Sequence, residues 1–237
     1  MATRSSGRGP SDADHEQTDD REPLTRHRIL VQAIALADDG GVEALSMRKL
    51  ASALGYEVMS LYNHVANKGD LLEGMLDEVY GELQPIPDER GWKQGVIDLA
   101  VHTHDVLLRH RWAAPLIPHC FPGPNRFGHA ERLLELLTLG GFDDDLRDLG
   151  YHAVTLHIAG FTQQQLSYSL SDDEWESGMA RFHREVTTDR FPLMIDHVRY
   201  HTERDHRPEG RPDEFRFVLD LIVDGLERRR DGPTAAQ

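Results

Sequence analysis

The chain has 237 residues, with 26 basic against 41 acidic side chains, a formal net charge of −15, 7% aromatic residues and a single cysteine. With 39% hydrophobic residues it carries apolar surface for one or two cores, which excludes wholesale disorder. The lone Cys120 excludes an internal disulfide and a cysteine-built zinc site, and the N-terminal MATRSSGRGP lacks the apolar core of a signal peptide.

Residues 153–171 are free of Asp, Glu, Lys and Arg, but His157, three glutamines and several hydroxyls make them too polar to span a bilayer. No membrane partner is expected, and the cytoplasm is the expected compartment. The charge is uneven along the chain. Residues 1–23 are net −3, residues 24–68 are net +1, and the rest carries −13. The one non-negative segment is thus the one suited to phosphate contacts.

Residues 1–23, rich in Ser, Gly, Asp and Pro without apolar periodicity, read as a solvated tail. Beyond them apolar residues recur at spacings of three and four, no alternating strand pattern appears, and prolines punctuate the chain. The reading is all-α. Thr25 is placed as N-cap of a first helix with the stripe Ile29, Leu30, Ala33, Ile34 and Ala37, stopped at Gly40-Gly41. Ser46 caps a short helix carrying Leu50, Ala51 and Leu54, and Gly55 breaks it. A second short helix, roughly 57–64, begins at once, which makes a helix-turn-helix. Asn67 and Asp70 resemble a capping box, and Leu71, Leu72, Met75, Leu76 and Val79 mark a longer helix that ends before Pro85.

Further helices are expected at 89–111, 125–139, 143–170, 172–186, 192–204 and 212–229. The helices at 143–170 and 212–229 carry stripes that suit either an internal core or a symmetric four-helix dimer interface. The resulting division is a tail at 1–23, a DNA-binding domain at 24–84, a helical ligand-binding and dimerisation domain at 85–230, and a tail at 231–237.

The stretch 24–72 resembles the DNA-binding domain of the TetR family of transcriptional regulators. The resemblance rests on the helix with its GG stop, on LSMRKLASALG, and on SLYNHVANKGDLL, which follows the family's LY-x-H-x-x-x-K-x-x-LL pattern. A recognition helix needs one face tethered to its own core and the other offered to base edges and phosphates. Leu61 and Val65, with Tyr56, form the inward set, which leaves Val58, Met59, Ser60, Tyr62 and Asn63 for the groove. Arg48 can make a bidentate contact to guanine, the commonest specific base contact. By resemblance His64 and Lys68 sit on phosphates, and Ser46 and Met47 approach DNA at the start of the first short helix. Ser46 as an N-cap also has a fully structural explanation.

More weakly, Trp92, RFPLMIDHVRYH and FRFVLDLIVDGLE resemble the tetracycline-repressor type of ligand-binding domain. The founding repressor holds a metal-chelated drug with a histidine in a proline-containing loop, a threonine and a glutamate. By that resemblance His119 takes the first role, while Pro122 and Gln164 stand at the other two positions and Gln84 replaces a further pocket histidine. Two of the three polar supports are therefore missing, and the ligand class stays open. The pocket set read from the helices is Thr103, Trp112, His119, Phe121, Phe161 and Gln164, though the aromatic members suit a plain core equally well.

The family implies a homodimer on a palindromic double-stranded DNA operator, acting as a repressor and released by a small-molecule effector. The rival reading is an all-α metal-dependent hydrolase. It rests on fourteen histidines, on the adjacent pair His104-Asp105, and on His197 and His201 four apart with His206 beyond. It leaves 24–72 unexplained, and neither a cofactor nor a metal is expected.

Overall fold

The computed structural model describes residues 23–167, 172–204 and 213–232. These form ten α-helices and three 3-10 turns, and among the described residues there is no strand. The tails expected at 1–23 and 231–237 lie, except for Pro23, Asp231 and Gly232, outside the described residues.

Helix α1 (Arg26–Gly40) begins where Thr25 Oγ1 accepts the N–H of Arg28 at 3.2 Å. Helix α2 (Met47–Leu54) begins where Ser46 Oγ accepts from Lys49 N at 3.2 Å. It ends at Gly55, whose φ of 74° and ψ of 30° lie in the left-handed region that favours glycine. Only two residues separate that glycine from α3 (Val58–Tyr62). Helix α4 (Lys68–Gly81) is capped by Asn67 Oδ1, which accepts from Asp70 N at 3.0 Å. Asp70 does not return the bond to Asn67 as a reciprocal capping box would. Its carboxylate takes the N–H of Ala66 at 2.7 Å and is shared with Arg26.

Behind this unit lie α5 (Gly91–Arg109), α6 (Pro124–Leu139), α7 (Asp144–Ser167), α8 (Asp172–Glu185), α9 (Pro192–Arg204) and α10 (Glu214–Arg230). Helices α5, α6, α7 and α10 pack on one another, while α4 packs on α1 at one side and on α6 at the other. The core therefore runs without a break from Ile29 and Leu50 through Met75 to Leu107, Leu136 and Leu219. Each fully buried Leu or Ile in it contributes about 1.5–3 kcal/mol relative to exposure. The segment Ala114–His119, between α5 and α6, forms a 3-10 turn with Pro118 inside it. No described helix is long and apolar enough to cross a membrane.

The tie between α4 and α6 depends on a residue that periodicity alone does not single out. Asp77 lies buried on α4, and its carboxylate accepts the N–H groups of Asn125 (3.3 Å) and Arg126 (3.0 Å) in the first turn of α6. A carboxylate there also favours the helix dipole. The approach requires Gly123, since a Cβ at that position would stand 2.5 Å from the Asp77 carboxyl carbon.

Candidate DNA-reading surface and cavity

The α2–turn–α3 corner is held from inside by Leu50 and Leu61, both fully buried, with Val65 beside them. Tyr56, half-buried, closes the turn by donating its N–H to Ala51 O at 3.0 Å. With that face tethered, the opposite face of α3 presents Met59, 72% exposed, and Tyr62, 42% exposed, with Asn63 beyond them. Arg48 and Ser46 are exposed at the start of α2, and Lys68 is exposed at the first position of α4. Ser60 and His64 are half-buried.

Val58, expected at the groove, and Met47, expected near DNA at the start of α2, are half-buried and pack in part against the core. The expense of exposing Val58 to solvent therefore falls away in part.

Arg26 fixes the segment that carries His64 and Lys68. Its Nη2 lies 2.6 Å and its Nη1 3.0 Å from the Asp70 carboxylate, and Nη1 also donates to His64 O at 2.9 Å. Arg26 holds the Asp70 carboxyl below the usual carboxylate range against a partial opposing effect of burial. Sequence reasoning saw Asp70 as a cap and missed Arg26, whose partner is 44 residues away.

A cavity of about 470 Å³ opens between the end of α4, the segment after it, α5 and α6. Tyr80, Leu83 and Ile86 form one wall, Leu99, His102 and Thr103 a second, and Asn125, Gly128, His129 and Arg132 a third, with Gln84 at the rim. Thr103 Oγ1 lies 2.7 Å from Leu99 O and 2.8 Å from His129 Nε2. Two oxygens approach that closely only with a hydrogen between them, so the hydroxyl donates to Leu99 O and His129 Nε2–H donates to the hydroxyl. Burial, helped by the charge of Arg126, lowers the His129 pKa to about 4, so this imidazole is neutral near pH 7. The Tyr80 ring meets it edge-on at 5.2 Å.

Of the pocket set read from the sequence, the structure brings only Thr103 to this cavity. Trp112 is buried at the other end of α5, donating Nε1–H to Asp38 Oδ1 at 2.7 Å. Phe161 joins an aromatic cluster in which Phe215 stacks on His104 and His157 at 4.1 and 4.5 Å. His119 and Gln164 are exposed, and Phe121 is 71% exposed against the edge of Phe127. The residues missed, His129 and Arg132, stand three apart on one face of α6, a spacing that sets side chains side by side.

Among the described residues, the groups that suggested a hydrolase do not converge. His104 is buried with Nδ1 2.7 Å from Thr162 Oγ1, whereas its neighbour Asp105 is exposed. His197 is exposed on α9, and the side chain of His201 and all of His206 lie outside the described residues. Among the described residues no three His, Cys, Asp or Glu side chains are grouped so as to hold a metal ion.

The same two regions, taken as sequence, match known families. Residues 29–75 match the family model of bacterial regulatory proteins, tetR family, and residues 84–230 match that of the tetracyclin repressor-like C-terminal domain. The chain belongs to the TetR family. It is 30% identical over 220 residues to the HTH-type transcriptional repressor DrrR1 of Streptomyces coeruleorubidus, covering 86% of this chain and 77% of that one. Among solved structures it resembles apo ActR of Streptomyces coelicolor at a TM-score of 0.71 and 28% identity, over 89% of this chain and 98% of ActR. It also resembles ActR in complex with actinorhodin, at 0.70 and 28%, over 86% and 97%. This TetR-family chain is a transcriptional regulator with a helix-turn-helix DNA-binding domain at its N-terminus and an all-α domain behind it.

Proposed function

We propose that the protein is a cytoplasmic repressor that binds a palindromic duplex operator as a homodimer and leaves it when a small molecule occupies the cavity between α4, α5 and α6. The observation that carries this reading is the corner formed by α2 and α3, tethered by Leu61 while Met59 and Tyr62 stand clear of the protein. Apolar and polar groups so placed meet thymine methyls and base edges in the major groove. Arg48 reads a base, and Ser46, Lys68 and His64 hold phosphates.

The segment 24–68 has a net charge of only +1 on a chain of −15. One copy therefore supplies few phosphate contacts, and two copies supply a workable number. The pairing surface is the face of α7 and α10 that shows Leu149, Leu156, Phe217 and Leu221 to solvent, each more than half exposed. Twofold symmetry then sets two half-sites about 34 Å apart.

The cavity lies against α4, the helix that starts at Lys68 beside the recognition corner, and Asp77 locks that helix to α6. A ligand that moves α6 thereby moves α4 and the DNA-reading unit. The ligand-bound relative ActR supports a response to small molecules. Selection of bound sequences from a random duplex pool at two salt concentrations tests the reading. Recovery of a symmetric motif is the expected result, and absence of any enrichment refutes it.

A further inference from the structure

We propose that α3 reads A·T base pairs: the Met59 side chain and the Tyr62 ring pack on the 5-methyl groups of thymines, and the Asn63 carboxamide pairs with N6 and N7 of an adenine. The proposal rests on the operator reading and goes on to name the bases beneath this helix.

Three exposed side chains share one stripe. Met59 and Tyr62 are three apart and Met59 and Asn63 four apart, and Asn63 keeps helical geometry at the end of α3, with φ of −72° and ψ of −16°. All three are exposed, whereas Val58 and Ser60 are half-buried and Leu61 faces the core. Ser60 N–H donates to Glu57 O at 3.0 Å and His64 N–H to Leu61 O at 2.9 Å, so the stripe meets a groove as one unit. It contains no cation.

The four base pairs differ in what they show in the major groove, and the stripe answers only some of them. Guanine offers two acceptors, O6 and N7, which an Arg or Lys meets best. From Glu57 to Asn63 there is no such side chain, and the exposed Glu57 carboxylate, an acceptor itself, repels that pair. Guanine is left to Arg48, exposed on α2.

Thymine offers an apolar group, its 5-methyl, and a Met side chain that stands clear of the protein loses exposed apolar area by covering it. Adenine sets the N7 acceptor beside the N6 donor, the pattern that a carboxamide answers with both its ends. The Asn63 carboxamide makes no hydrogen bond among the described residues, so no group there competes for it.

The test is a pair of selections with the full chain, one from a random duplex pool and one from a pool carrying uracil in place of thymine. Uracil keeps the hydrogen-bonding groups of thymine and lacks only the methyl. The thymine pool is expected to return a symmetric motif, and selection repeated with Met59→Ala locates the pairs beneath α3, because their preference relaxes. Those pairs are A·T. Remade with uracil, the motif binds about tenfold or more weaker, since each covered methyl is worth about fourfold and each half-site carries at least one. Met59→Ala narrows that gap. In the same duplex 7-deazaadenine, which has a C–H where N7 stands, weakens wild type by about threefold or more and leaves Asn63→Ala unaffected. Both side chains are exposed, and thermal melting checks that the variants fold. Equal affinity for the thymine and uracil duplexes, or G·C pairs at the positions sensitive to Met59→Ala, overturns the proposal while leaving the operator reading in place. Absence of any motif from the thymine pool overturns both.

Discussion

Asp38, near the end of α1, stands 2.9 Å from His110, which closes α5. The contact crosses the seam between the DNA-reading unit and the helices behind it. Trp112 donates to the same carboxylate at 2.7 Å, and the other His110 nitrogen lies 2.9 Å from Glu82, the residue that ends α4. Arg109 reaches Glu82 at 2.8 Å. Two ends of the helix-turn-helix unit are thus gripped by three residues from one turn at the end of α5. His110→Ala removes a buried side chain that bridges the exposed Asp38 and Glu82 and is expected to cost about 1–3 kcal/mol in urea unfolding. The same variant loosens the seam, so effector release of the operator weakens relative to wild type while effector affinity does not. A variant with wild-type stability and wild-type release contradicts this role.

Stability falls with pH through His129. Unfolded, this group titrates near its ordinary value of 6.5, and folded near 4. Between those values the unfolded chain binds more protons, so stability is complete above pH 6.5 and is lost as pH falls toward 4. The loss is on the order of 3 kcal/mol at most. Burial lowers His104 and His157 as well, which adds a loss of the same sign. The Asp70 carboxyl, lowered by Arg26, acts only in a more acidic range, below the ordinary 3.8. Urea midpoints measured at pH 7.5 and 4.5 are therefore expected to differ less in His129→Gln than in wild type, and an identical difference in both proteins contradicts the assignment.

What the sequence made legible is what a few neighbouring residues decide. Thr25, Ser46 and Gly55 each act within three or four positions, and the helix starts and the αL break stand where those residues require. Leu61 and Val65 are buried as their spacing demands. The cavity is different in kind. It is assembled from Tyr80, Thr103 and Arg132, which no periodicity relates, and it is shaped by Asp77 reaching across 48 residues to Asn125. Trp112 shows the converse, because an aromatic in a proline-rich neighbourhood suits a ligand wall or a buried seam equally, and only its bond to Asp38 decides between them. Val58 lies half-buried at the start of α3, a helix of barely more than one turn, so it packs in part on the core.

Base reading and phosphate holding separate by mutation on the DNA side. Arg48 is exposed at the second position of α2 with its guanidinium free to enter the groove, whereas Lys68 stands at the start of α4, where helix dipole and side chain act together on an anion. Arg48→Ala is expected to cost about 1–3 kcal/mol on the selected operator and to relax preference at one base pair. Lys68→Ala weakens all duplexes alike and lowers the salt slope by about one. Binding isotherms on matched and single-mismatch operators at several salt concentrations distinguish the two, and identical behaviour of the variants refutes the division of roles.

The proposed dimerisation through α7 and α10 makes the most severe demand on a single side chain. Leu149 and Leu156 are two turns apart on α7, Phe217 and Leu221 one turn apart on α10, and the two helices pack together, so four exposed apolar side chains stand on two packed helices. Gly160 continues the α7 face with nothing within 4 Å of its Cβ position, room for a partner helix to approach closely. Leu156 is 71% exposed in the protomer, so Leu156→Asp costs the isolated chain less than about 0.5 kcal/mol. In the pair the same change buries two unpaired carboxylates, one from each copy, and weakens association by about a hundredfold or more. Sedimentation is expected to show a dimer for wild type and a monomer for the variant, with thermal stability of the protomer retained. Operator affinity falls with it, because each monomer brings only half the phosphate contacts. A variant that stays dimeric places the pairing surface elsewhere.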